Sequence, residues 1–390
     1  RPPRSTLFPY TTLFRSFSLI LILIILTSGC KKEEFIWGQK VGDITYSGNV
    51  VFLGPVELAS LKEVTSDRLV FSKETGVLSD ITEMSILVAG VSEKTPYGFL
   101  RAVNTIQAVE GGIIISTSDA TLPEAIKEGT IKFSGRLLEK DFYLQSKLDG
   151  VLIKGPGKSF DGLAVTLDNL EIMKDGTKLA RLNGAIGISP EIDITIIIKF
   201  NQVTRVTISA TLNKIEEVSI ISNSSFNGTR ELTAAEFTHT PVVIDSVVFV
   251  PVVSVKTGYN GSISSSLSTG VRQDRTITSE IRFEGLEWID SPLDQTVNYD
   301  FISPVLSDNS DLEIFSEPEI RIMLFGMPLQ TITARGYYSI KAQKNASPFW
   351  RLSIGNDGHN SINSDILGLT EDFASSLEIQ SSEIGNSNSR

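Results

Sequence analysis

The sequence predicts an all-β protein, built as two or three antiparallel β-sandwich-like modules with one short connector helix near residues 121–129. Three observations predict it. Segment 192–200, Ile-Asp-Ile-Thr-Ile-Ile-Ile-Lys-Phe, puts Ile192, Ile194, Ile196, Ile198 and Phe200 on one face, with Asp193, Thr195 and Lys199 on the other. The next segment repeats the pattern, with Val206, Ile208, Ala210 and Leu212 against Arg205, Thr207, Ser209 and Thr211. A period of two over that length describes a sheet with one buried and one wet face. The third observation is turn punctuation: Asp175-Gly176 and Asn260-Gly261 each separate strand-like runs, and both dipeptides suit the positive φ angles of type I′ hairpins.

The elements follow in chain order. An apolar run, Phe17–Leu26, precedes Thr27-Ser28-Gly29 and then Cys30, the only cysteine of the 390 residues. The run is shorter than the roughly 20 residues that span a bilayer, and it has the length of a signal-peptide core followed by small residues at a cleavage point. Residues 1–30 are therefore read as leader, 31–38 as a tether, and the body as three parts: an N-terminal β module at 39–131, a central antiparallel sheet at 132–229 and a C-terminal β module at 230–378. A polar tail, 379–390, is expected to be disordered. The connector helix rests on Thr121-Leu-Pro-Glu124, a capping box with proline in its first turn, and Gly129 is its expected end. No period of 20 to 50 residues recurs, which disfavours a solenoid or propeller.

Composition narrows function. A net charge of −11 and a pI near 4.9 argue against a nucleic-acid partner, which a basic stripe would serve. With one cysteine and two histidines, His239 and His359, the chain has little from which to build a thiol nucleophile, a thiolate zinc site or a histidine triad. His239, in Phe-Thr-His-Thr-Pro, reads as structural. The expectation is a protein that is not an enzyme and holds no cofactor. The leading ion candidate is calcium at Asp357, Asn360 and Asp365, where Gly355-Asn-Asp-Gly-His-Asn360 and its sequel gather side-chain oxygens, with Asp308-Asn-Ser-Asp311 ranked below it. The plainer alternative is that Asn-Asp-Gly is a hairpin turn. Glu280, Glu284 and Glu287 flank Phe283 and Trp288 and admit a glycosidase reading, against the plainer one of a solvated strand face. Trp37, Tyr337, Tyr338 and Trp350 can stack on sugars or simply pack a sheet.

Resemblances to known proteins add to this. Cys30 behind its apolar run resembles the lipobox of bacterial lipoproteins, which implies that Cys30 is lipidated and that a lipid anchor holds the protein to a membrane. Lys31-Lys-Glu-Glu34 resembles the charged signal of lipoproteins displayed on the outer face of the outer membrane. Residues 1–16 resemble translated sequencing-adapter sequence and are left out of the fold reading. Pro96-Tyr-Gly-Phe-Leu-Arg-Ala-Val103, with Gly112–Ile126 behind it, is similar to a module of large secreted and surface-anchored bacterial proteins. Its β-rich partner module resembles the stretch from Pro241 through Gly270–Gln273, Leu324–Gly326, Gly336–Tyr338 and Pro348–Leu352. That family carries no established activity, so the resemblance implies a secreted surface β-protein and assigns no catalytic residue. The sequence thus leads to a non-catalytic, lipid-anchored cell-surface protein with a structural or adhesive role, its partner possibilities being a glycan or a surface protein. The alternatives are a glycan- or ligand-binding lipoprotein of an outer-membrane uptake system and, behind it, a carboxylate-dependent glycoside hydrolase.

Overall fold

A computed structural model of the chain describes residues 39–73, 76–153, 162–174 and 177–388. Strands make up 72% and helices 6% of an all-β architecture of three mostly antiparallel sheets, one of them curled into a half-barrel. The nine-stranded sheet runs in the order Lys40–Val41, Ile44–Tyr46, Ile126–Arg136, Thr177–Lys199, Gln202–Ser222, Leu267–Glu284 and Glu287–Leu306. Leu163–Lys174 and then Val151–Leu152 extend it beside the first half of Thr177–Lys199. The eight-stranded sheet orders Phe142–Lys147, Phe226–His239, Val247–Ile263, Ser310–Leu324, Met327–Ala342, Trp350–Ile362 and Phe373–Asn386, with Val242–Ile244 against Val247–Ile263. A six-stranded sheet between residues 50 and 119 contains the one parallel pair among the described residues, Val50–Leu53 with Ile86–Ala89.

The alternation read from the sequence sets the main layer. Ile192, Ile194, Ile196, Ile198, Val206, Ile208, Ala210 and Leu212 are all buried in one continuous core. Pairing is uninterrupted from Ala180↔Ser222 to Ile197↔Arg205, so a slip of one residue would turn this whole ladder to water. The two long sheets face each other across that core: Phe133 stacks on Phe249 at 5.4 Å, and Asn360 Nδ2 donates to Ser279 Oγ at 2.8 Å. Strand Ile86–Ala89 of the six-stranded sheet is buried on both faces. Leu87, Ala89 and Phe99 close a separate core, while Ile86, Val88 and Leu100 join the large one.

Several expectations are corrected. Phe200 leaves the isoleucine face: with Asn201 it forms the turn before Gln202, at φ 52° and 58°, and stands 85% exposed. The helix spans only Leu122–Ala125. Its capping box is present, with Glu124 N donating to Thr121 Oγ1 at 3.3 Å and Thr121 N to Glu124 Oε2 at 2.7 Å, but Ile126 already begins a strand. A second helix, Pro55–Ser60, has no forecast. Asn260-Gly261 is no turn, because both residues lie inside Val247–Ile263. A Cβ on Gly261, at φ 122°, would come 2.0 Å from Asp311 O, so the glycine serves close strand approach. Gly355 likewise lies mid-strand under the Tyr337 ring, where a Cβ would fall 2.1 Å from Cζ. Asp175-Gly176 lies outside the described residues, between strands paired at Lys174↔Thr177. The boundaries drawn at 131 and 229 fall within Ile126–Arg136 and Phe226–His239. The tail from 379 is strand as far as Asn386, paired with Trp350–Ile362.

Candidate functional site

A depression of about 940 Å³ lies at one end of the nine-stranded sheet. Its size falls within the range of ligand clefts, roughly 300–1,000 Å³. Register creates its floor: Phe283 and Trp288 are direct cross-strand partners around the Gly285-Leu286 turn, with ring centroids 5.1 Å apart. Phe373, at the head of the last strand, brings a third ring to 5.6 Å from Trp288. Trp288 is half-buried, and its Nε1 donates to Glu371 O at 3.1 Å, which ties the ring to the 368–372 loop. That loop is held by Ser364, whose N donates to Asp372 Oδ1 at 2.7 Å and whose Oγ donates to Glu371 O at 2.5 Å. Pro123 and Asn201 form the far wall. Glu287, Glu371 and Asp372 line the groove, and among the described residues no lysine or arginine does. An apolar ring face with acceptors around it suits a ligand that stacks on one side and donates hydrogen bonds from its rim.

The residues singled out from the sequence distribute unevenly over this geometry. Phe283, Trp288 and Glu287 come together in the groove. Glu284 instead pairs with Arg205 on the outer face, and Glu280 accepts from Ser209 Oγ and pairs with Arg282 at 3.2 Å. The calcium candidates are not brought together. Asp357 points to solvent, while Asn360 points inward and is engaged on both sides, accepting from Gln330 Nε2 at 3.1 Å and donating to Ser279. Asp365 sits on a separate 3-10 turn. Among the described residues no three His, Cys, Asp or Glu side chains are grouped to hold a metal ion. His239 is buried, with Nδ1 2.5 Å from Thr240 O and its ring edge-on to Phe142, whereas His359 is exposed. Tyr338 is buried, Tyr337 and Trp350 are half-buried, and Cys30 and Trp37 lie outside the described residues.

A charged belt lies between the long sheets. Lys214 and Glu216, only 1% and 4% exposed, form an ion pair. Lys214 Nζ also donates to Ser316 O and Ala334 O at 3.1 and 3.2 Å, and Glu216 accepts from Ser316 Oγ at 2.5 Å. Arg275, also buried, donates Nη2 to Gly355 O at 3.2 Å. Burial pushes the Lys214 ammonium down to about 8 against the pull of Glu216. Burial alone raises Glu216, but the Lys214 and Arg275 charges outweigh it and hold the carboxyl below its usual range. The signal was present in the chain: Leu212, Lys214, Glu216, Val218 and Ile220 continue one face of the alternation, so the two charges occupy core positions.

Comparison with protein-family models, with curated proteins and with solved structures finds no match to this chain.

Proposed function

We propose that this is a non-catalytic, lipid-anchored cell-surface protein with a structural or adhesive role, held by Cys30 on the outer face of a bacterial outer membrane. The observation that carries the reading is the combination of a continuous apolar core with an open, aromatic-floored groove of about 940 Å³. Two of the three glutamates that invited a hydrolase are already engaged in outer-face ion pairs. Such a body is suited to holding a partner. The resemblance of 96–126 and of the stretch from Pro241 to surface-anchored bacterial proteins supports the same reading.

The Phe283–Trp288–Phe373 floor favours a second reading, a glycan-binding lipoprotein, because the face of a sugar ring packs on such rings while its hydroxyls reach the rim acceptors. Calorimetry of the full-length protein against a polysaccharide panel tests both. Retention of a glycan without release of reducing ends, weakened at least tenfold by Trp288→Ala, is the expected result for the second reading. Adhesion of cells that survives Trp288→Ala and is lost on deleting the whole protein fits the adhesive one. Turnover abolished by Glu287→Gln would overturn both in favour of a hydrolase.

A further inference from the structure

Three of the most exposed large apolar side chains in the described structure are Met84, Phe200 and Leu286, at 80%, 85% and 87%. Each sits on a left-handed turn residue, with φ of 89°, 52° and 72°. Bulky side chains seldom occupy that region, where glycine or asparagine is the easier choice. All three belong to one end of the molecule. The Phe200-Asn201 and Gly285-Leu286 turns lie side by side, because Arg205 pairs with Glu284 and both turns border the same groove. Asn201 Nδ2 donates to Ser47 Oγ at 2.9 Å, and two residues further on Asn49 Nδ2 donates to Met84 O at 2.7 Å. The chain enters the body here as well, since Tyr46 N donates to Gln39 O at 2.9 Å and Lys40 pairs with Thr45.

The neighbouring turns of the eight-stranded sheet show what this end looks like where it is covered. Phe325-Gly326 has the same left-handed geometry, yet Phe325 is buried. Asp245-Ser246 is polar and employed, with Asp245 accepting from Asp43 N at 3.1 Å. Around the point of chain entry Met84, Phe200 and Leu286 are bare at 80% or more, whereas Val243, beside Asp245 in the eight-stranded sheet, is 55% exposed. From these placements we infer that Met84, Phe200 and Leu286 are a membrane-contacting tripod whose occupant is the lipid surface itself. The inference rests on the lipid-anchor reading: the tether 31–38 can span at most about 30 Å, so an anchor at Cys30 keeps Gln39 and the tips around it near the bilayer. Apolar tips of this kind sink to the boundary between headgroups and acyl chains, and a lipid chain with a second apolar contact holds better than a chain alone. The effect is to fix the orientation of the body on the surface.

The test uses the full, lipidated chain in phosphatidylethanolamine–phosphatidylglycerol vesicles. An environment-sensitive fluorophore is placed in turn by Met84→Cys, Phe200→Cys, Leu286→Cys and Val305→Cys. Val305 is exposed at the opposite end of the Leu267–Leu306 hairpin. A blue shift and quenching by spin-labelled lipid at 84, 200 and 286, with neither at 305, is the expected result. Protein that floats with the vesicles while all four positions stay water-like overturns the tripod and leaves the anchor standing. A chain that fails to float removes both. A shift at 200 and 286 that needs no vesicles and grows with protein concentration overturns the membrane contact in favour of a second copy of this chain.

Discussion

Glu216→Leu should be among the most damaging single substitutions in the protein, costing about 3–5 kcal/mol, because it leaves the buried Lys214 and Arg275 charges without their carboxylate. Adding Lys214→Met should recover part of that loss, since only Arg275 then remains unpaired. Denaturant unfolding of the three proteins checks the order. If Glu216→Leu alone is neutral, the charges are not desolvated as described. The same belt gives a pH signature. Lys214 titrates near 8 when folded and near its ordinary 10.5 when unfolded, so between those values the unfolded chain holds the extra proton. Stability should therefore rise with pH from about 8 towards 10, and Lys214→Met should abolish the rise. Above about 10 the buried Tyr46 and Tyr338, whose pKa values are raised, act in the opposite sense. On the acid side Glu216, held low when folded, contributes stability that is lost as pH falls below its unfolded value of 4.5.

Ile196→Asp should unfold the sandwich outright. Its side chain is fully buried between Ile131 and Val206 in register, and an isolated carboxylate there costs several kcal/mol. Thr195→Asp, one residue away on the outer face, should cost under about 1 kcal/mol. Thermal melts of the pair decide the register, and equal stability of the two would contradict it.

The contrast between those neighbours shows what was legible. A period of two is a direct imprint of a sheet with one buried face, so Ile192 to Ile198 and Val206 to Leu212 could be placed from the sequence. The capping box at Thr121 was legible too, because its hydrogen bonds are local. The misreadings arise where long-range pairing decides. Asn260-Gly261 looks like a hairpin, but its glycine answers to Asp311 O on the next strand, fifty positions on. Phe200 looks like the end of an apolar ladder, and only the pairing of Lys199 with Gln202 reveals a turn. The groove was half visible, through Phe283, Trp288 and Glu287. Phe373 and the 368–372 loop join it through a contact spanning more than eighty residues, which no local pattern encodes.

In the proposed function, lipidation of Cys30 is what ties the protein to a surface. Growth with a fatty-acid analogue that can be tagged, followed by fractionation and protease treatment of intact cells, tests it most directly. The wild-type protein should carry the label, float with the outer membrane and be cut from outside. Cys30→Ser should lose the label and leave that fraction. Equal labelling of the two proteins, or full protection of a labelled wild type, would contradict the assignment to a lipid-anchored surface protein.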